Sequence, residues 1–326
     1  MKETHNVVII GSGIAGLSAA IYCARNGHNP LIIHGDEPGG QLTLTSEVAN
    51  YPGFPDSVGG TELIQKMQTQ AEKFGAELKH GIVEKVMDKS RPFEIKLATD
   101  DIILSKSIIV ASGASARTLD IPGENELMGY GLSTCATCDG AFFKDEEMVV
   151  VGGGDAALEE AHYLTKFASK VYLIHRREEF RGNSYLQKQV KRKVENKEIE
   201  IIKNTELTKI NGSQKKGIES IDLVTNEEGY PTNKLDSPET KKWNLDVGAV
   251  FFAIGHTPNT SYLTDTDVEV DDTGYIKVSG GLENVTETDV QGIFAAGDVV
   301  DYHYQQASTA AGMGVKASLD VDNYLD

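Results

Sequence analysis

Cys135-Ala-Thr-Cys138-Asp139 is the segment of this 326-residue chain best equipped for chemistry. Two thiols two residues apart can close a disulfide when the second opens a helical turn. Such a pair becomes a redox centre where a helix N-terminus or a neighbouring group favours one thiolate. Asp139, directly after the second thiol, is placed to give or take a proton during exchange, although an aspartate there also serves as a cap. Zinc would need two further ligands. Only Cys23 remains, in an Ala/Ile-rich helical pattern, and no His pair has ligand spacing, so no metal is expected.

These thiols need a scaffold, and the glycines indicate one. The apolar run Val7 to Ile10 is followed by Gly11-Ser12-Gly13-Ile14-Ala15-Gly16, a helical stretch to Arg25, the stop Asn26-Gly27 and a second apolar run, Leu31 to Ile33. Strand, tight turn, helix and strand are the setting in which G-x-G-x-x-G binds a dinucleotide. The first Gly permits the turn, the second admits a pyrophosphate, and the third lets helix pack on strand. A second copy runs Met148 to Val151, then Gly152-Gly153-Gly154-Asp155-Ala156-Ala157, a helix over Leu158 to Ala168, and a strand Val171 to Ile174. Two such folds imply two dinucleotides.

Later strands end in small-residue turns at Gly113, Gly255 and Gly297-Asp298. Their order implies nesting: the second fold is inserted into the first, and the C-terminal segment returns to complete it. The crossings are expected near Arg117 to Pro122 and near Asp246 to Ile254. Residues 226–243, rich in Lys, Glu, Pro, Asn and Thr, read as an exposed loop or hairpin extension without an assigned role.

The end of the second strand of each fold meets the nucleotide ribose. In the inserted fold it reads His175-Arg176-Arg177, with Arg181 beyond. An acidic residue there would hold a 2′-hydroxyl; arginines suit a 2′-phosphate and favour NADPH over NADH. The first fold has His34 at this place and Asp36 two residues on, which leaves its ribose contact open.

Composition bounds the remaining choices. At roughly 150 residues per domain the length suggests two domains, and a chain this long needs no disulfide framework. With 31 basic and 49 acidic residues the net charge is −18, which disfavours nucleic acid as a main partner. The apolar runs are too short to span a bilayer. The N-terminal residues enter a strand without a leader pattern, and the three cysteines are odd in number, so a cytoplasmic location is expected.

Taken together, Gly39-Gly40-Gln41-Leu42 within Pro38 to Thr43, Asn50-Tyr51-Pro52-Gly53, Gly113 to Arg117, Cys135 to Gly140, His175 to Arg177, Gly255 to Asn259 and Gly297-Asp298 resemble the low-molecular-weight thioredoxin reductases over Val7 to Leu325. The resemblance implies an α/β architecture of two nested Rossmann-like domains. FAD binds residues 1–117 and 249–326, and NADPH binds an inserted domain, 118–248, that carries the dithiol. It further implies a homodimer with thioredoxin as disulfide substrate.

By the same resemblance, Gly11, Ser12, Gly13, Ala15 and Gly16 meet the FAD pyrophosphate. Asp36, Gly40, Gln41, Leu42, Thr43 and Asn50 surround adenosine and flavin, with Val83, Ala111 and Gly113 also among the cofactor contacts. Gly297 and Asp298 fall at the ribityl chain, and Gln306 and Ala307 at the flavin's pyrimidine edge. Gly154, Asp155, Ala156, His175, Arg176, Arg177 and Arg181, with Ile254 and Gly255, complete the cofactor set. Cys138 is the thiol at the flavin, Cys135 attacks the protein substrate, and Asp139 is the acid. Both the dithiol and the nicotinamide need the flavin, which the family resolves by rotating the inserted domain. Gln305 stands where the family commonly has Arg.

Three other readings compete. A peroxidase-linked flavoprotein of this kind carries an N-terminal redoxin extension, which is not found ahead of Val7. A ferredoxin-NADP reductase of similar fold lacks the Cys pair. A redox-sensing NADPH binder would not need the dithiol, the arginines and both fingerprints together. Ala141-Phe142-Phe143, next to the redox motif, reads either as core or as a docking surface.

Overall fold

The computed structural model describes residues 4–44, 47–281 and 284–326. The chain divides into two compact units, Met1–Ser115 with His256–Asp326, and Ala116–Gly255.

The first unit begins with β1 (Thr4–Ile10), α1 (Ile14–Arg25), β2 (Leu31–His34), α2 (Gly60–Lys73), β3 (Glu77–His80), β4 (Val83–Met87), β5 (Phe93–Leu97), β6 (Ile102–Val110) and β7 (Ala114–Ala116). Val7 to Ile10 are all buried, as expected of a strand covered on both faces of a parallel sheet. The sheet order is β3-β2-β1-β6-β5-β4. β6 pairs parallel with β1 along its length; on its other side its first half pairs antiparallel with β5, and Ile108 to Val110 pair parallel with a later strand at Ile293–Ala295.

The second unit contains α3 (Glu124–Leu127), β8 (Leu132–Ser133), α4 (Ala136–Asp139), β9 (Glu147–Gly152), α5 (Asp155–Leu164), β10 (Lys170–Ile174), α6 (Ser184–Glu195), β11 (Ile199–Ile202), β12 (Thr205–Ser213), β13 (Gly217–Thr225), β14 (Lys241–Asp246) and β15 (Ala249–Ala253). Its main sheet is β11-β10-β9-β15-β8, parallel throughout. A separate antiparallel sheet, β12-β13-β14, adjoins it in sequence. The chain then forms β16 (His256–Pro258), β17 (Ile293–Ala295) and α7 (Ala307–Leu325) of the first unit.

Two local expectations need correction. Residues 249–253, expected with the C-terminal segment, form β15 between β9 and β8, because Ala249 to Ala253 are wholly apolar and complete the inserted sheet. The helix expected over Leu158 to Ala168 runs Asp155–Leu164 instead. It starts at the Gly154 cap and ends in a turn in which the Phe167 and Ala168 N–H groups donate to the Leu164 carbonyl.

In the first unit, α1 is buried along nearly its whole length. A Cβ on Gly314 of α7 would lie 2.1 Å from the Ala15 carbonyl oxygen, so only glycine lets α7 approach α1 this closely. In the second, Ala157, Leu158, Ala161 and Leu164 of α5 pack on Met148, Val150, Val171 and Phe251.

Candidate active site

Cys135 and Cys138 are joined as a disulfide. Cys135 is the N-cap of α4 and Cys138 lies within it, so the first thiol, not the second, opens the helical turn. The Cys138 and Asp139 N–H groups donate to the Cys135 carbonyl at 3.2 and 3.1 Å. Both cysteines are half-buried, and Thr137 between them is exposed.

Ser133, at the end of β8, organises the polar side of this turn. The Cys135 N–H donates to Ser133 Oγ at 3.0 Å, and the hydroxyl donates onward to Asp139 Oδ2 at 2.6 Å. Burial raises the Asp139 carboxyl above its ordinary range, and the Ser133 hydrogen bond partly opposes this. A carboxyl so shifted keeps its proton to higher pH, which suits an acid next to a leaving thiolate.

Glu160 of α5 lies beneath the same turn. Its carboxyl accepts the Ala136 N–H, while Oε2 is buried with no hydrogen-bond partner. Burial pushes it up to about 8. The residue is absent from the sequence-derived set. Its signal lay in register: Glu160 is three residues after Ala157 and four before Leu164, on the inward side of α5.

In the first unit part of the expected FAD set gathers at the N-terminus of α1. Gly11 adopts φ +112°, and a Cβ there would meet the Ala111 carbonyl oxygen at 2.2 Å. The Gly39 N–H donates to Ser12 Oγ at 3.0 Å, and a Cβ on Gly40 would stand 3.5 Å from Gly13 Cα. The Gly40–Leu44 turn, including Gln41, Leu42 and Thr43, therefore leans over the α1 N-terminus. Thr43 Oγ1 closes it by donating to the Gly40 carbonyl at 2.8 Å.

Asn50 Nδ2 donates to Gln306 Oε1 at 3.3 Å, and Gln306 caps α7 with Ala307 as its first residue. A Cβ on Gly297 would come 2.8 Å from Ala15 Cβ, bringing Asp298 to the same region. Burial, with Asp301 nearby, pushes the Asp298 carboxyl up to about 6. Asp36 accepts from His80 Nε2 at 3.1 Å, on the far edge at β3. Val83 opens β4, two residues after Gly81, whose N–H donates to the His34 carbonyl. Gly113 accepts the Asn259 N–H at 3.0 Å.

In the second unit Gly154 is the N-cap of α5, with Asp155 and Ala156 in its first turn. A Cβ on Gly154 would meet nothing within 4 Å, which leaves this helix start open to an anion. Asp155 Oδ1 is engaged by the Asn183 N–H at 2.6 Å. His175 differs from its arginine neighbours: its side chain is buried, its Nε2 donates to the Glu179 carbonyl at 3.0 Å, and it stacks on Phe180. Burial holds it below its ordinary value. The charge at this strand end thus rests on Arg176, Arg177 and Arg181. Arg177 Nε is buried without a hydrogen-bond partner, a donor that a nucleotide phosphate would satisfy. Ile254 and Gly255 follow β15, where Gly255 accepts the Arg117 N–H at 3.0 Å.

A family model described as pyridine nucleotide-disulphide oxidoreductase matches residues 5–314. A thioredoxin reductase of Mycolicibacterium smegmatis is 46% identical over 99% of this chain and 97% of its own length. One from Escherichia coli O157:H7 is 43% identical over 98% and 96%. The chain belongs to the pyridine nucleotide-disulphide oxidoreductase family, among its thioredoxin reductases. The solved thioredoxin reductase of Giardia duodenalis superposes with a TM-score of 0.87 at 38% identity, covering 99% of both chains. The cofactors of this family are FAD and NADPH, and both sets of residues fit: one glycine cradle stands before α1, another before α5. Among the described residues, no helix is long and apolar enough to cross a membrane.

Proposed function

We propose that the chain is an NADPH-dependent thioredoxin reductase in which Cys135, Cys138 and Asp139 carry the disulfide chemistry. The observation that carries this reading is the closed Cys135–Cys138 bond, with Asp139 tethered to the same turn through Ser133. Bound FAD and NADPH supply two electrons. Gly11 to Gly16, the Gly40 turn, Asn50, Asp298 and Gln306 would hold FAD; Gly154, Arg176, Arg177 and Arg181 would hold NADPH.

Reduction opens the bond to two thiols. The Cys135 thiolate attacks one sulfur of oxidised thioredoxin, breaks its disulfide and forms a mixed disulfide. Cys138 then attacks Cys135, releasing thioredoxin as a dithiol and re-forming the Cys135–Cys138 bond. Asp139 delivers the proton that the leaving thiolate takes up.

The reading includes a homodimer; light scattering after gel filtration tests it.

The deciding experiment uses Cys138→Ser. NADPH should still bleach its flavin, while NADPH-driven thioredoxin reduction is abolished. Normal turnover with thioredoxin would remove the redox assignment.

A further inference from the structure

Residues 226–243 read as a solvated extension in sequence, yet 241–243 belong to β14 and 226–240, between β13 and β14, are fastened beside the end of β10. Asn226 is buried; its N–H donates to the Asn204 carbonyl at 3.0 Å, and its Nδ2 to Thr240 Oγ1 at 2.9 Å. Thr232 donates from both N–H and Oγ1 to Glu206 Oε2, at 2.9 and 2.6 Å. Between these anchors, Tyr230 takes φ +50°, a left-handed conformation that a bulky residue holds only where its surroundings impose it. Its N–H donates to the Arg176 carbonyl at 3.0 Å.

The ring that this backbone delivers meets two cations. Arg176 Cζ lies 5.3 Å and Arg177 Cζ 5.1 Å from the Tyr230 centroid, both within cation–π range. Adjacent guanidinium groups repel, and long side chains lose entropy when ordered. An aromatic ring offsets both without consuming N–H donors, because it engages the guanidinium through its π-system. Nearby carboxylates are spent elsewhere: Glu178 pairs with Lys203, and Glu228 with Lys234. Among the described residues, neither arginine has an ion-pair partner, and Arg177 Nε remains unsatisfied in a buried position.

We propose that Tyr230 is a positioning residue for nucleotide selection, its ring holding Arg176 and Arg177 ready for the 2′-phosphate that distinguishes NADPH from NADH. This rests on the NADPH reading above. The extension thereby sets cofactor preference from outside the βαβ unit that supplies the arginines.

The test is calorimetric titration of the full-chain holoenzyme with two probes, 2′,5′-ADP and 5′-ADP. Wild type should favour 2′,5′-ADP. Tyr230→Leu, which keeps apolar bulk and removes the ring, should weaken 2′,5′-ADP by about 5- to 20-fold, in line with one or two lost cation–π contacts. It should leave 5′-ADP within about twofold, and Tyr230→Phe should bind both like wild type. Emission of Trp243, the chain's one tryptophan and a β14 residue, monitors the integrity of the hairpin in each variant. Unchanged 2′,5′-ADP binding by Tyr230→Leu overturns the proposal. So does equal weakening of both probes, which would put the ring on the adenosine or reflect lost structure. A Tyr230→Phe defect matching that of Leu would assign the effect to the hydroxyl instead and also overturn it. Failure of the underlying reading is separate: wild type itself would then not distinguish the two probes.

Discussion

Ser133 Oγ stands 2.6 Å from Asp139 Oδ2 while accepting the Cys135 N–H at 3.0 Å, so one hydroxyl ties the attacking cysteine's backbone to the proposed acid. The hydrogen bond favours the carboxylate and opposes the upward push of burial. Ser133→Ala removes that opposition. The Asp139 pKa should move higher, and the alkaline limb of thioredoxin reduction should move with it, because the acid keeps its proton longer. Single-turnover thioredoxin reduction across pH checks this. An unchanged limb in Ser133→Ala, with Asp139→Asn also near wild type, would remove Asp139 from proton transfer.

Glu160 makes a stability prediction with a defined sign. Its carboxyl titrates near the ordinary value of 4.5 when unfolded and at about 8 when folded. Between these values the folded chain binds a proton that the unfolded chain lacks, so stability contributed by this group falls as pH rises and levels off above about 8. Glu160→Gln mimics the neutral form and keeps an acceptor for the Ala136 N–H. It should be more stable than wild type above pH 8, by about 1–3 kcal/mol, with the gap closing toward pH 5. Denaturant melts at several pH values read this out; a pH-independent gap would place the effect elsewhere.

Legibility varied with range along the chain. The two glycine turns and their strands stood out because the backbone near Gly11 and Gly16 excludes any side chain within a few residues of an apolar run, a local constraint. The thiol pair and the arginines were legible for the same reason. Ser133, Glu160 and Tyr230 were not. Each acts through a fold that brings it beside the site: Ser133 by the end of β8, Glu160 by the inward face of α5, Tyr230 by a hairpin fastened to Asn204 and Glu206. His175 stands apart from the arginines that sequence grouped it with: it lies just past β10, buried against Gly153, where a Cβ would meet its ring at 2.2 Å.

The two phenylalanines after the redox turn divide between the roles that sequence left open. Phe142 is 43% exposed, whereas Phe143 packs edge-on to Phe251 at 6.2 Å within the α5 core. Phe143→Ala should therefore destabilise the chain by about 2–4 kcal/mol. Phe142→Ala should change stability by less than about 0.5 kcal/mol. If its exposed ring docks thioredoxin, Phe142→Ala should instead raise the KM for thioredoxin severalfold, leaving flavin content and NADPH-driven flavin reduction unchanged. Steady-state kinetics with varied thioredoxin, set against thermal melts of both variants, distinguishes the two.

Asp298 makes a prediction about how FAD affinity depends on pH. Burial and Asp301 hold its carboxyl up at about 6. A ribityl hydroxyl donating to this oxygen would favour the carboxylate, so FAD binding should release a proton wherever Asp298 is still protonated. Linkage then requires FAD to bind more tightly as pH rises from 5 toward 7, and to stop gaining once Asp298 is ionised without ligand. Asp298→Asn removes the titration, and its FAD affinity should be weaker at pH 7 and flat across this range. Titration of apoprotein with FAD at pH 5, 6 and 7, in two buffers of different ionisation enthalpy, measures affinity and proton release together. A wild-type affinity independent of pH, or a slope that survives in Asp298→Asn, would detach this residue from the ribityl chain and assign any dependence to another group.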